Sequence, residues 1–164
     1  MTERVLHSTS VVLPGGPARE AWIVLRGDRI ASVAEDAAPR LNSGAVVEEL
    51  GDRLLTPGFV DLHVHGGGGG AFADGTDGAA AALAAHRAAG TTTSMASLVT
   101  DTIDSLEQQI RALVPLVRAG DLAGIHLEGP WLAEARCGAH EPELLCDPHR
   151  ADLERLLAAG EGTV

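Results

Sequence analysis

Two groups of residues in the 164-residue sequence have the types and spacing that chemistry needs. His63 and His65 stand two apart in Phe59-Val60-Asp61-Leu62-His63-Val64-His65. In an extended strand alternate side chains share a face, so both imidazoles point one way while Leu62 and Val64 point the other. Imidazole is the commonest metal ligand, and two on one face can reach one ion. An HxH pair by itself also fits two histidines with no ligand role. The second group is His126-Leu127-Glu128-Gly129-Pro130, at the end of another apolar run. Alternation puts Glu128 on the face of His126, and a carboxylate ending a strand beside an HxH strand is a natural third ligand. His126 lies deeper and fits a hydrogen-bonded core residue as well. The run Gly66 to Gly70 lets the backbone pass close to whatever the histidines hold. No Lys-Ser/Thr follows it, as a phosphate-cradling P-loop would require.

Something must bring these groups together, and the composition favours an α/β fold. Hydrophobic residues make up 45% and aromatics only 2%, so the core must be built from Ala, Val, Leu and Ile. That suits helices packed on buried parallel strands. Residues 5 to 55 read as short β segments, and Gly27-Asp28 between two alternating runs is a hairpin signal. The Arg26-Gly27-Asp28 triplet reads as that turn rather than as an adhesion motif. Thr56-Pro57-Gly58 marks a break, dividing a 1–56 N-terminal β segment from a 57–164 barrel domain.

After the break, strands alternate with helices. A buried strand is expected over Gly58–His65, then a helix from Thr76 or Asp77 through Arg87, stopped at Gly90. Strand Thr91–Thr100 follows, and a helix from Asp101 or Thr102 to Arg118 with a kink or break near Pro115. Strand Leu122–Glu128 leads through a long loop to a helix capped by Asp147, with Pro148 at its first position. Gly162-Thr163-Val164 looks like a fourth strand opening. This is an incomplete (β/α)8 TIM-type barrel, with three βα units and the start of the fourth strand. Such barrels build their sites where strand ends meet loops, which is where His65 and Glu128 fall.

The formal net charge of -11 argues against a nucleic-acid or anionic-membrane partner, since either needs a basic patch. A small molecule is the better partner. No signal sequence or membrane-spanning run is apparent, so a cytoplasmic location is expected. Cys137 and Cys146 lack CxxC spacing and read as reduced thiols.

The segments LTPGFVDLHVHGGGG and HLEGPWLAEARCGAHEPELL, in that order, resemble the N-acetylglucosamine-6-phosphate deacetylase family of the amidohydrolase superfamily. The first is shared by many superfamily members, and the second is particular to the family. The resemblance implies removal of acetate from N-acetyl-D-glucosamine 6-phosphate in amino-sugar catabolism. It also implies a small β-sandwich beside the barrel, and a homodimer at full length. Glu128 matches the principal metal ligand. His63 and His65 match the pair that holds a second ion in members with two. The metal is one or two divalent ions, zinc first and iron second, which polarise the amide carbonyl and lower the pKa of bound water. Ala139, through its backbone, and His140 match the substrate-binding loop, and the alternative for His140 is an ordinary surface position. Cys137 has no identified base or metal partner, which leaves it out of catalysis. The further histidine ligands, the catalytic Asp and the phosphate-binding residues are expected beyond residue 164. His86 and His149, in expected helices, are poor substitutes, so the chain reads as a fragment inactive by itself. Two other readings stay open. One is another amidohydrolase, such as a cyclic-amide hydrolase or a deaminase. The other is a non-catalytic truncated product, destabilised by exposed strand edges.

Overall fold

The computed structural model describes residues 3–164, which fall into two compact units meeting at Pro57 and Gly58. The N-terminal unit is one five-stranded sheet. Strand β1 (Glu3–Val11) pairs antiparallel with β2 (Arg19–Arg26) and parallel with β4 (Val46–Glu49) and β5 (Leu54–Leu55); β3 (Arg29–Ala34) pairs with β2. Arg26 faces Arg29 across the β2–β3 turn. Gly27 there has φ 64, as the first central position of a type II′ turn requires, so Arg26-Gly27-Asp28 is a hairpin turn. Val11, Ala21 and Ile23 are buried together on one face with Leu6, Leu13, Leu25 and Leu55 against them. No second sheet faces this one among the described residues of the unit.

The C-terminal unit is mixed α/β. Strands β6 (Phe59–Val64), β9 (Thr91–Val99) and β10 (Gly124–Glu128) form a parallel sheet in the order β10-β9-β6, open rather than closed into a barrel. Between β6 and β9 lie a two-residue-strand hairpin, β7 (Gly66–Gly67) with β8 (Gly70–Ala71), and helix α1 (Thr76–Ala88). Helix α2 (Ile103–Ala119) joins β9 to β10, and α3 (Arg150–Gly160) follows a long loop.

Local chemistry accounts for these boundaries. The Thr102 hydroxyl accepts the Ser105 N–H at 3.2 Å and caps α2, and Gly120 ends it in the left-handed conformation. Leu106, Ile110 and Leu113 recur at helical spacing and are fully buried, each contributing about 1.5–3 kcal/mol. That continuous face carries α2 through Pro115 without the expected break. Helix α3 starts later than expected, with His149 rather than Asp147 at its N-cap. Asp147 precedes a proline, which asks of it the extended backbone that an N-cap also has, so the proline does not account for the shift. The residue before it, Cys146, is tied to the Pro130 carbonyl at 3.3 Å.

Two further expectations fail. Strand β6 is not buried: Phe59, Val60 and Leu62 are 62%, 61% and 63% exposed. It is the edge of a three-stranded sheet, with a neighbour on one side only. Gly162-Thr163-Val164 forms no strand, although the Thr163 carbonyl accepts the Ile125 N–H at 2.8 Å beside β10.

Candidate metal centre

Strand β9 is the ruler against which the site is measured. Asp61 of β6 lies opposite Ser94, but Val64 lies opposite Ala96. The extra residue in β6 is a bulge across Leu62–His63. His63 in the bulge and His65 just beyond it meet with Nε2 atoms 3.1 Å apart and rings nearly perpendicular. On the other side of β9, Glu128 ends β10 opposite Val99. Its Oε2 lies 3.2 Å from His63 Nε2 and 3.0 Å from His65 Nε2. These three ligand atoms, two imidazole nitrogens and one carboxylate oxygen, lie within 4.8 Å of one another.

Protons are scarce in this cluster. His65 Nδ1 is 2.9 Å from the Ser97 carbonyl oxygen, which can only accept, so Nδ1 carries the proton. In the neutral ring the lone pair is then on Nε2, facing Glu128 and His63. Among neutral rings only His63 Nε2 can bring a proton, so three contacts share one hydrogen. Either a ring takes up an extra proton or a cation satisfies the converging lone pairs. The fixed tautomer is the arrangement by which metal-binding histidines are oriented, with the second ring nitrogen donating to a carbonyl. The donor set suits a divalent ion of the zinc or iron type, with positions left for water and substrate. Burial pushes the Glu128 carboxyl up. The hydrogen bond from His140 and the positive charge that His63, His65 and His140 carry when protonated more than offset it, leaving Glu128 below the usual carboxylate range.

The loop after β10 brings a further residue. His140 places Nε2 3.4 Å from Glu128 Oε1, and its side chain is only 10% exposed. Both Ala139 and His140 line a cavity of about 680 Å³ with His65, Glu128, Thr100 and Cys137. Gly129 allows this approach, since its φ is 95 and a Cβ there would stand 2.0 Å from Thr100 Oγ1. His126 hydrogen-bonds the Ser97 hydroxyl at 3.1 Å, its ring 5.2 Å from that of His63.

The glycine run behaves differently from expectation. A Cβ at Gly66 would strike the Gly70 carbonyl at 2.3 Å, and one at Gly70 the Gly78 carbonyl of α1 at 2.5 Å. The glycines thus serve a tight hairpin packed on α1. His86 anchors it, with Nε2 3.0 Å from the Gly66 carbonyl, a supporting role the sequence did not reveal. His149 stands at the start of α3, and no site contact is recorded for it. Ser97 and Thr100 were also missed, because in a stretch already rich in Thr and Ser they carry no distinguishing sequence signal.

No family model matches the chain. The N-acetyl-D-glucosamine-6-phosphate deacetylase of Mycobacterium smegmatis, solved as a mutant in complex with N-acetyl-D-glucosamine-6-phosphate, is 45% identical over 100% of this chain, with a TM-score of 0.92. Over the length that it spans, the chain is similar to the N-acetylglucosamine-6-phosphate deacetylases. That length is 42% of the mycobacterial deacetylase. The human N-acetylglucosamine-6-phosphate deacetylase is 30% identical over 97% of this chain and 41% of its own. An N-acetylgalactosamine-6-phosphate deacetylase of Escherichia coli O157:H7 is 30% identical over 72% of the chain and 33% of its own. The chain therefore spans about two fifths or less of the deacetylases it matches.

Proposed function

We propose that this chain forms the N-terminal part of a metal-dependent deacetylase that converts N-acetyl-D-glucosamine 6-phosphate to glucosamine 6-phosphate and acetate. The convergence of His63 Nε2, His65 Nε2 and Glu128 Oε2 with too few protons to join them carries the reading. These residues hold one or two divalent ions, zinc before iron. When bound, such an ion supplies Lewis acidity, polarising an amide carbonyl and lowering the pKa of water. The chain's own groups do the positioning. The Ser97 carbonyl keeps the His65 proton on Nδ1, and His140 engages the Glu128 oxygen turned away from the imidazole pair. The Ala139 backbone and His140 contact the sugar in the cavity they line.

In the same reading, residues 57–164 are the first three βα units of a (β/α)8 barrel and the approach to its fourth strand, and residues 1–56 belong to a small β-sandwich. The exposed apolar face of β6 supports this, because a barrel would cover it with further units. The catalytic Asp, the remaining metal ligands and the phosphate-binding residues come from sequence beyond residue 164, and a full-length homodimer in the cytoplasm completes the picture. No helix among the described residues is long and apolar enough to cross a membrane.

The test is acetate release from the 6-phosphates of N-acetyl-glucosamine and N-acetyl-galactosamine, with added Zn²⁺. It compares the 164-residue chain with the full product of a reading frame continuing past Val164. The expected result is turnover of the glucosamine substrate by the longer product and none by the 164 residues. Preference for the galactosamine substrate would reassign the sugar. Hydrolysis of a cyclic amide, with neither sugar turned over, would overturn the proposal.

A further inference from the structure

His140 lies in the loop after β10, yet its ring is held by the residue that follows β9. Thr100, itself buried, places its hydroxyl 2.7 Å from His140 Nδ1 and donates its backbone N–H to the same atom at 3.4 Å. A peptide N–H can only donate, so Nδ1 is an acceptor and holds no proton. The neutral ring then carries its proton on Nε2, the atom 3.4 Å from Glu128 Oε1. The opposite tautomer fails twice. It would turn an Nδ1–H against the Thr100 N–H, and it would set the Nε2 lone pair against a carboxylate oxygen.

We propose that Thr100 is a positioning residue that fixes His140 as an Nε2–H donor in the cavity wall. Its effect passes through Glu128: Nε2 stands 3.4 Å from Oε1, and Oε2 remains turned to His63 and His65. An oxygen-bearing ligand entering the cavity then meets a donor at His140 rather than a lone pair. Gly129 belongs to the same device, because any Cβ at that position would displace the Thr100 hydroxyl. The consequence for ion binding rests on the metal reading above, whereas the tautomer itself does not.

The experiment is ¹⁵N NMR of histidine-labelled chain at neutral pH without metal, with His140 assigned by loss of its signals in His140→Gln. Zn²⁺ affinity is measured in parallel by competition with a chelating dye. The expected wild-type result is a neutral His140 ring protonated on Nε2. Thr100→Ser keeps that tautomer and holds Zn²⁺ affinity within about twofold, while Thr100→Val mixes the tautomers and weakens Zn²⁺ about tenfold, the scale of outer-shell partners. A wild-type ring protonated on Nδ1, or on both nitrogens, overturns the proposal. So does a folded Thr100→Val chain with the wild-type tautomer and affinity. Should Thr100→Val not fold, the wild-type tautomer and its retention in Thr100→Ser decide. Absence of Zn²⁺ binding with His140 protonated on Nε2 would overturn the metal reading and leave the assignment of Thr100 standing.

Discussion

The two units each build a cluster from histidine and glutamate, and the clusters differ in their ratio. In the N-terminal sheet one imidazole serves two carboxylates. His7 Nδ1 lies 2.5 Å from Glu49 and Nε2 lies 3.1 Å from Glu20, while the ring stacks on Trp22 at 4.3 Å. Both nitrogens face acceptors, so the imidazolium satisfies the arrangement completely. In the C-terminal unit three imidazoles surround one carboxylate, Glu128. One of them, while neutral, cannot donate toward it, because the Ser97 carbonyl holds its proton on Nδ1. The same residue types thus make a self-sufficient clamp in one place and an unsatisfied set of lone pairs in the other. The count of donors against acceptors, more than the presence of histidine, separates the N-terminal clamp from the proposed ligand set.

Several substitutions can break or sharpen this contrast. The largest effect is expected from Glu128→Gln, which removes the anionic ligand while keeping shape. Zn²⁺ affinity should fall about a hundredfold or more, beyond the range for outer-shell changes, whereas Glu49→Gln in the other cluster should leave it unchanged; dye competition measures both. Gly129→Ala comes next. It forces a positive φ on a residue with a Cβ and drives that atom into Thr100, so a loss of about 2 kcal/mol is expected in urea unfolding. The smallest effect belongs to His7. The hydrogen bond to Glu49 raises its pKa most, burial opposes it, and Glu20 raises it further, leaving it above the ordinary histidine value of 6.5. A raised folded pKa means that the clamp stabilises fully below pH 6.5 and is lost as pH rises through the raised value. The urea midpoint gap between wild type and His7→Gln should therefore shrink from pH 6 to pH 9. Trp22 emission in a Trp131→Phe background follows it. A gap that is constant with pH would show that the His7 charge contributes nothing.

How much of this was legible in the sequence depends on whether a residue's partners were local. His63, His65 and Glu128 could be singled out because period-two alternation and a strand end are sequence properties. The Gly27 turn and the Thr102 cap were legible for the same reason. Thr100 and Ser97 were not, since their importance comes from the register of β9 against β10 and from a loop 40 residues further on. The apolar run of β6 was read as buried because it shows what a strand would prefer to touch, without saying whether a neighbour exists. A kink or break was expected near Pro115, and the buried face on both sides of it carries α2 past the missing backbone bond without a break. The glycines after His65 were read as close-approach positions, and the approach found is to one another and to α1.

The most direct test of the central claim is a Co²⁺ titration of the 164-residue chain, followed by visible ligand-field absorption and by the ring ¹⁵N signals of His63 and His65. Saturable binding that perturbs both Nε2 resonances, and that is lost in Glu128→Gln, is the result expected of a metal centre built by these three residues. Binding that leaves both rings untouched, or that persists at full affinity in Glu128→Gln, would contradict it.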